Sequence, residues 1–205
     1  MYQIAPDGTN LEQILIEVHR GFNEMFELYD DIKAKINDLN LDTNAVLYVN
    51  GHSLGGANAM LFAVHYAFSN PTKQVELTTF GAPRVGNRGL KLFAERLKNL
   101  NIWRTVNLKD AIPRVPYDKY EHAGHLYWKL PSQEVKAYYR QIGDESRGLK
   151  GVQDFASAAF NAQLLSSTDV QVLIEDHYTI MYRAWFESAC RDPTSVNSTM
   201  DYESL

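Results

Sequence analysis

The sequence predicts an α/β protein, a mostly parallel sheet flanked by helices, and three observations carry that reading. Short apolar runs, partly β-branched, alternate with longer segments whose apolar residues recur at helical spacing. A glycine turn joins one such run to a helix of small residues. Hydrophobic residues make up 45% and charged residues 22% of the 205, which is enough apolar material for a sizeable core.

The first long segment runs from about Asn10 to Asn40. Leu11, Leu15, Val18, Phe22, Met25, Phe26, Tyr29, Ile32 and Ile36 fall at helical spacing there, so a helix is expected, with Gly21 as a point of interruption and Phe22 as an alternative start. Ala45 to Val49 is short, apolar and followed by glycine, which predicts a buried strand. Ser53 to Phe68 is small and apolar at helical period and stops at Ser69-Asn70-Pro71. The pattern then repeats, with a strand over Val75 to Phe80, a helix over Asn87 to Lys98, a strand over Ile102 to Asn107 and a last strand over Gly124 to Leu130. Helical spacing returns over 152–165 and 170–187, and 140–150 reads as an exposed loop. Without repeats or low-complexity blocks, 1–190 reads as one domain and 191–205 as a C-terminal tail. In a parallel sheet, ligands gather beyond the carboxyl ends of the strands, so chemistry is expected just after Val49, Phe80 and Asn107.

Composition excludes several classes. A net charge of −5 offers no basic excess to displace phosphate counterions, which argues against nucleic acid as a partner. A single cysteine, Cys190, excludes an intramolecular disulfide framework and any multi-cysteine metal site. The longest apolar stretch, around Ala59 to Phe68, is about ten residues and too short to span a bilayer. Met1 to Gly8 has neither a basic nor an apolar signal region, so the expected location is cytoplasmic, or secreted if the true N-terminus lies upstream. Asn197-Ser198-Thr199 matches a glycosylation acceptor only by chance on that reading.

Gly51-His52-Ser53-Leu54-Gly55-Gly56 is the strongest chemical signal. A serine between a strand and a helix occupies a sharp turn, and glycines two before and two after, Gly51 and Gly55, are expected to let the backbone pack closely. The helix points its N-terminus at Ser53, so the Leu54 amide can stabilise negative charge on an attacked carbonyl. The competing reading is a glycine turn that contributes only packing.

A serine nucleophile needs a base, and the base needs an orienting acid. Asp110 lies just past the strand ending at Asn107, at the carboxyl edge of the sheet; taken alone, it reads first as a loop aspartate capping a turn. Among the histidines after it, His122 and His125 flank Gly124 at the amino end of a strand, the wrong side, whereas His177 follows the last predicted strand. Asp176 is a rival acid, but adjacent side chains on one backbone point apart. His122 and His125 with Glu121 or Asp118 make a weak metal pattern without a third ligand, so neither metal nor cofactor is expected. His19, His52 and His65 receive no role, and His52 is expected to turn into the surrounding packing.

These pieces, in this order, resemble the class 3 lipases, a family of the α/β-hydrolase fold. The likeness rests on Val18 to Phe22, Gly51 to Ala57, Phe80-Gly81-Ala82-Pro83-Arg84-Val85-Gly86-Asn87, Val106 to Pro116, and Asp176-His177 with Tyr178 and Tyr182 following. The resemblance implies an esterase for acylglycerols or related lipid esters, with Ser53 as nucleophile, Asp110 as orienting acid, His177 as base and His122 as a structural histidine. It further implies a strand and turn before Val18 that supply a second oxyanion donor, followed by a lid. Met1 to Glu17 show no such strand, so the chain is expected to be truncated at its N-terminus, with Ala45 to Val49 at an open edge able to pair with another copy. Transient binding to a lipid interface is a further implication.

Two functions follow from different classes. The first is a serine lipase or esterase working through an acyl-enzyme; acyl transfer to an alcohol would use the same residues. The second is a catalytically incomplete lipase-like protein that acts as an interaction partner or needs complementation.

Overall fold

The computed structural model describes residues 15–24, 28–39, 42, 44–116, 119–130, 132, 135–138, 175–191 and 198–201. Residues 15–19 are extended, not helical. Val18 bridges Gly86, and the His19 amide donates to Val85 O at 2.9 Å. Asn87 Nδ2 donates to Leu15 O at 2.7 Å, while the Glu17 amide donates to Asn87 Oδ1 at 3.1 Å. The backbone of 15–19 therefore satisfies its polar groups across space, which overrides its helical spacing. Two short helices follow, α1 (Arg20–Glu24) and α2 (Tyr29–Asp38). The expected single helix is corrected to this pair, and Gly21 lies inside α1 instead of breaking it.

The main sheet contains β1 (Leu47–His52), β2 (Val75–Phe80), β4 (Leu100–Asn107), β6 (His125–Lys129), β7 (Val135–Tyr138) and β8 (Ser198–Asp201), adjacent in that order. β1, β2, β4 and β6 pair in parallel, β7 runs antiparallel to β6, and β8 pairs parallel to β7. A small antiparallel pair, β3 (Gly86–Asn87) with β5 (Tyr120–Glu121), lies apart. The strand over β6 is thus not the last; two more extend the sheet. β1 also runs beyond Val49, because Asn50, Gly51 and His52 find ladder partners in Thr78, Thr79 and Phe80 whatever their side-chain polarity. His52, Phe80 and Thr105 are level in register, so the loops after three strands leave one edge of the sheet together. Among the described residues, no strand pairs with the outer edge of β1.

The core lies between the sheet and α3 (Leu54–Ser69), which packs on β1 and β2. Ala57, Ala59, Met60, Leu61, Ala63, Val64, Tyr66 and Ala67 are all buried, so α3 is enclosed around most of its circumference. Val75, Leu77 and Ile102 meet it from the sheet, with Leu90 and Ala94 of α4 (Arg88–Ala94), a helix that ends short of the expected Lys98. Strand side chains alternate between faces, and the other face carries a smaller cluster. There Tyr182 and Trp185 of α5 (Thr179–Arg191) pack with Val135, Phe80 and Tyr127. The helical spacing over 170–187 is corrected at its centre: Asp176 and His177 stand in a turn before α5. The predicted helix over 152–165, the loop over 140–150, residues 10–14 and 170–174, and Asn197 lie outside the described residues.

Candidate active site

β1 passes into α3 through one residue, Ser53, at φ 55° and ψ −128°. A non-glycine residue held there costs on the order of 1–3 kcal/mol, so the surroundings must fix it. The Ser53 amide donates to Phe80 O at 2.9 Å, and Ser53 O accepts from the amides of Gly56 at 2.9 Å and Ala57 at 3.2 Å. A Cβ on Gly51 would fall on the Gly55 carbonyl, and one on Gly56 would lie 2.6 Å from Ala82 Cβ. Gly55 has nothing within 4 Å of a Cβ, so the expected steric role of Gly55 is corrected: the close approach belongs to Gly51 and Gly56. The Leu54 amide opens α3, and the first amides of a helix have no acceptor within it.

Ser53 Oγ lies 2.8 Å from His177 Nε2. The other ring nitrogen, Nδ1, lies 2.9 Å and 3.0 Å from the two oxygens of Asp110. Asp110 is fully buried, whereas the His177 side chain keeps 16% of its surface, which leaves the imidazole reachable from solvent. The carboxylate also accepts from the Ile112 amide at 2.9 Å and from Tyr182 Oη at 2.7 Å. Those donors satisfy a charge that burial would otherwise penalise. With Nδ1–H donating to Asp110, Nε2 is free to accept the Ser53 proton.

Three residues around this relay carried no site role in the sequence. Tyr182 Oη donates to Asp110 and accepts from the Asn107 amide at 3.0 Å. Burial, then the Asp110 charge, pushes the phenol well above its ordinary range, so it stays protonated and a donor. Gly81, at φ +57°, leaves space for the acid: a Cβ there would lie 2.6 Å from Asp110 Oδ2 and 3.1 Å from His177 Nδ1. Its signal was present in the run Phe80 to Asn87 directly after a strand. His52 does not turn into inert packing. Its ring lies against that of His177 in a tilted pair, centroids 4.7 Å apart, and Nε2 donates to His177 O at 2.8 Å while Thr179 Oγ1 lies 3.3 Å from Nδ1.

The remaining candidates lie elsewhere. His122 Nε2 lies 2.6 Å from Pro113 O, tying the loop after Asp110 to the connection between β5 and β6. His125 stacks on Trp103, centroids 4.5 Å apart. Arg84 is buried, and its guanidinium donates to the carbonyls of Arg114 and Pro116, bracing the same loop. Asp176 bonds away from His177: its Oδ2 accepts from the Lys109 amide at 3.0 Å.

A serine on a strained strand-to-helix turn, with a histidine and a buried carboxylate converging on it at the carboxyl ends of parallel strands, defines an α/β-hydrolase. The chain belongs to the class 3 lipase family, whose profile matches residues 3–120. It is similar to toxin TseL of Vibrio cholerae, at 38% identity over 117 residues, covering 56% of this chain and 16% of that protein. It is 39% identical over 106 residues to triacylglycerol lipase OBL1 of Arabidopsis thaliana, covering 46% of this chain and 20% of the relative. Among solved structures, lipase II from Rhizopus niveus superposes with a TM-score of 0.52 at 30% identity, over 55% of this chain and 45% of that one. The chain therefore spans less than half the length of each of these three proteins.

Proposed function

We propose that this chain carries a serine carboxylic-ester hydrolase site for acylglycerols or related lipid esters. The observation that carries the reading is the continuous run of short contacts from Ser53 Oγ through His177 to Asp110. Ser53 Oγ attacks the ester carbonyl carbon as its proton passes to His177 Nε2. The tetrahedral oxyanion rests on the Leu54 amide and the positive end of α3. His177 returns the proton to the departing alkoxide, the C–O bond breaks, and the acyl group stays on Ser53. Water, deprotonated by His177, then releases the carboxylic acid and restores the serine. Asp110 holds the imidazole in the working tautomer and stabilises its positive charge.

The substrate class is supported by the family and by the triacylglycerol lipase named among its relatives. Leu54, Tyr178 and Met181 are exposed apolar residues close in sequence to Ser53 and His177, which supports transient contact with a lipid surface. The assembled proton path favours hydrolysis over the reading of a catalytically incomplete interaction protein. Release of fatty acid from a short-chain diacylglycerol and from a p-nitrophenyl ester tests the proposal. Both activities are expected, and both are expected to vanish in Ser53→Ala; hydrolysis that survives this change contradicts it.

A further inference from the structure

The turn that carries the base is fastened to the turn that carries the acid, and the fastener is the residue next to His177. Asp176 is 8% exposed, its Oδ2 accepts from the Lys109 amide at 3.0 Å, and its main-chain carbonyl accepts from Asn107 Nδ2 at 3.0 Å. Both donors belong to the short path from β4 to Asp110, whose own amide turns back to Asn107 O at 2.9 Å. Within that path Leu108 sits at φ 44°, a conformation a leucine keeps only when its surroundings enforce it. The Leu108 amide is held by Lys129 O at 2.8 Å and its carbonyl by Trp128 Nε1 at 2.9 Å; the next amide, of Lys109, is held by Asp176.

We propose that Asp176 is a positioning residue of the hydrolytic site. Its carboxylate locks the 108–110 path to the 176–177 turn and so sets the approach of Asp110 to His177. The inference rests on the serine-hydrolase reading. It also accounts for a buried carboxylate that the proton path does not use. The charged groups around Asp176 are Asp110 and Glu175, which disfavour its ionised form, and Lys109, which favours it; Asp176 in turn favours the charged form of Lys129. Burial is the largest influence and lifts the carboxyl above its ordinary value, with the Lys109 amide opposing. Acidification therefore neutralises Asp176 sooner than an exposed aspartate and weakens a charge-assisted bond.

The test is the rate at which a fluorophosphonate labels Ser53, measured against pH in wild type, Asp176→Ala and Asp176→Asn, with folding followed by circular dichroism. Asp176→Ala is expected to label about tenfold to a hundredfold more slowly at neutral pH, since small misplacements of catalytic groups have that cost. Asp176→Asn keeps an acceptor for the Lys109 amide, so it is expected to recover most of the rate and to lose one ionisation from the acid limb. A merely structural residue would change stability without moving that limb. Wild-type labelling with unchanged rates and profiles in both variants overturns this inference alone. No labelling of folded wild type overturns the hydrolase reading and this inference together. If Asp176→Ala does not fold, the Asp176→Asn profile decides: a wild-type acid limb contradicts the proposal.

Discussion

At the residue scale, the site depends on side chains whose tasks differ sharply in cost. In the proposed mechanism Asp110 orients His177 and balances its charge, so Asp110→Asn is expected to reverse the Nδ1 tautomer preference and lower turnover by about 10⁴-fold in ester hydrolysis. Tyr182→Phe removes a donor to Asp110 and leaves the buried Asn107 amide without its acceptor. It is expected to lower stability by about 1–3 kcal/mol in urea denaturation, the cost of an unsatisfied buried group. Gly81→Ala places a methyl against the Asp110 carboxylate at a left-handed position and is expected to lose hydrolysis more than secondary structure, read by activity beside circular dichroism. That Ser53, His177 and Asp110 come together was legible because a serine in a glycine-flanked strand-to-helix turn, followed in the chain by a carboxylate and then a histidine, matches the order that nucleophilic catalysis uses in this fold. The contacts of Tyr182 and His52 were not: Tyr182 entered only through the family resemblance and His52 only as packing, because a hydrogen-bond partner from far along the chain is not visible in local sequence.

At the element scale, the junction of β1 and α3 sets where Ser53 stands. Gly51→Ala drives a methyl into the Gly55 carbonyl and is expected to cost about 1–3 kcal/mol, as overpacking does, and to displace the serine. Gly55→Ala meets open space inside a helix and is expected to raise stability by about 0.5–1 kcal/mol, because alanine loses less backbone entropy there. Paired melting curves check the contrast: equal losses for both would contradict the packing assigned to the turn. Val75 to Phe80 was legible to the residue, since an alternating, partly β-branched run bounded by polar turns has one reading. Residues 15–19 were misread because Gly86 and Asn87 recruit them into a bridge, an interaction that local spacing does not encode. Val135–Tyr138 was missed because its apolar residues stand among charged neighbours, and only pairing with β6 makes a strand of them.

At the scale of the whole molecule, two turns from distant parts of the chain must meet at Ser53, and buried carboxylates sit at their seam. The carboxyl of Asp176 lies above its ordinary value of 3.8, so the folded state binds that proton more readily than the unfolded chain. Its own contribution to stability therefore falls as pH rises through the interval above 3.8 and is fully present below it. Activity has the opposite sign, because protonation weakens the bond to the Lys109 amide. Acidification through that interval is thus expected to lower turnover while this group's own contribution to stability rises, and Asp176→Asn is expected to remove that opposition. Parallel pH series of hydrolysis and thermal denaturation check this.

The most direct measurement is intact-mass analysis of the folded protein after fluorophosphonate treatment, with the adduct mapped by peptide sequencing. One adduct on Ser53, absent in Ser53→Ala and strongly slowed in His177→Ala, is the predicted result. A folded protein that takes no adduct, or that takes it equally well without Ser53 or His177, would contradict an activated serine at the end of β1.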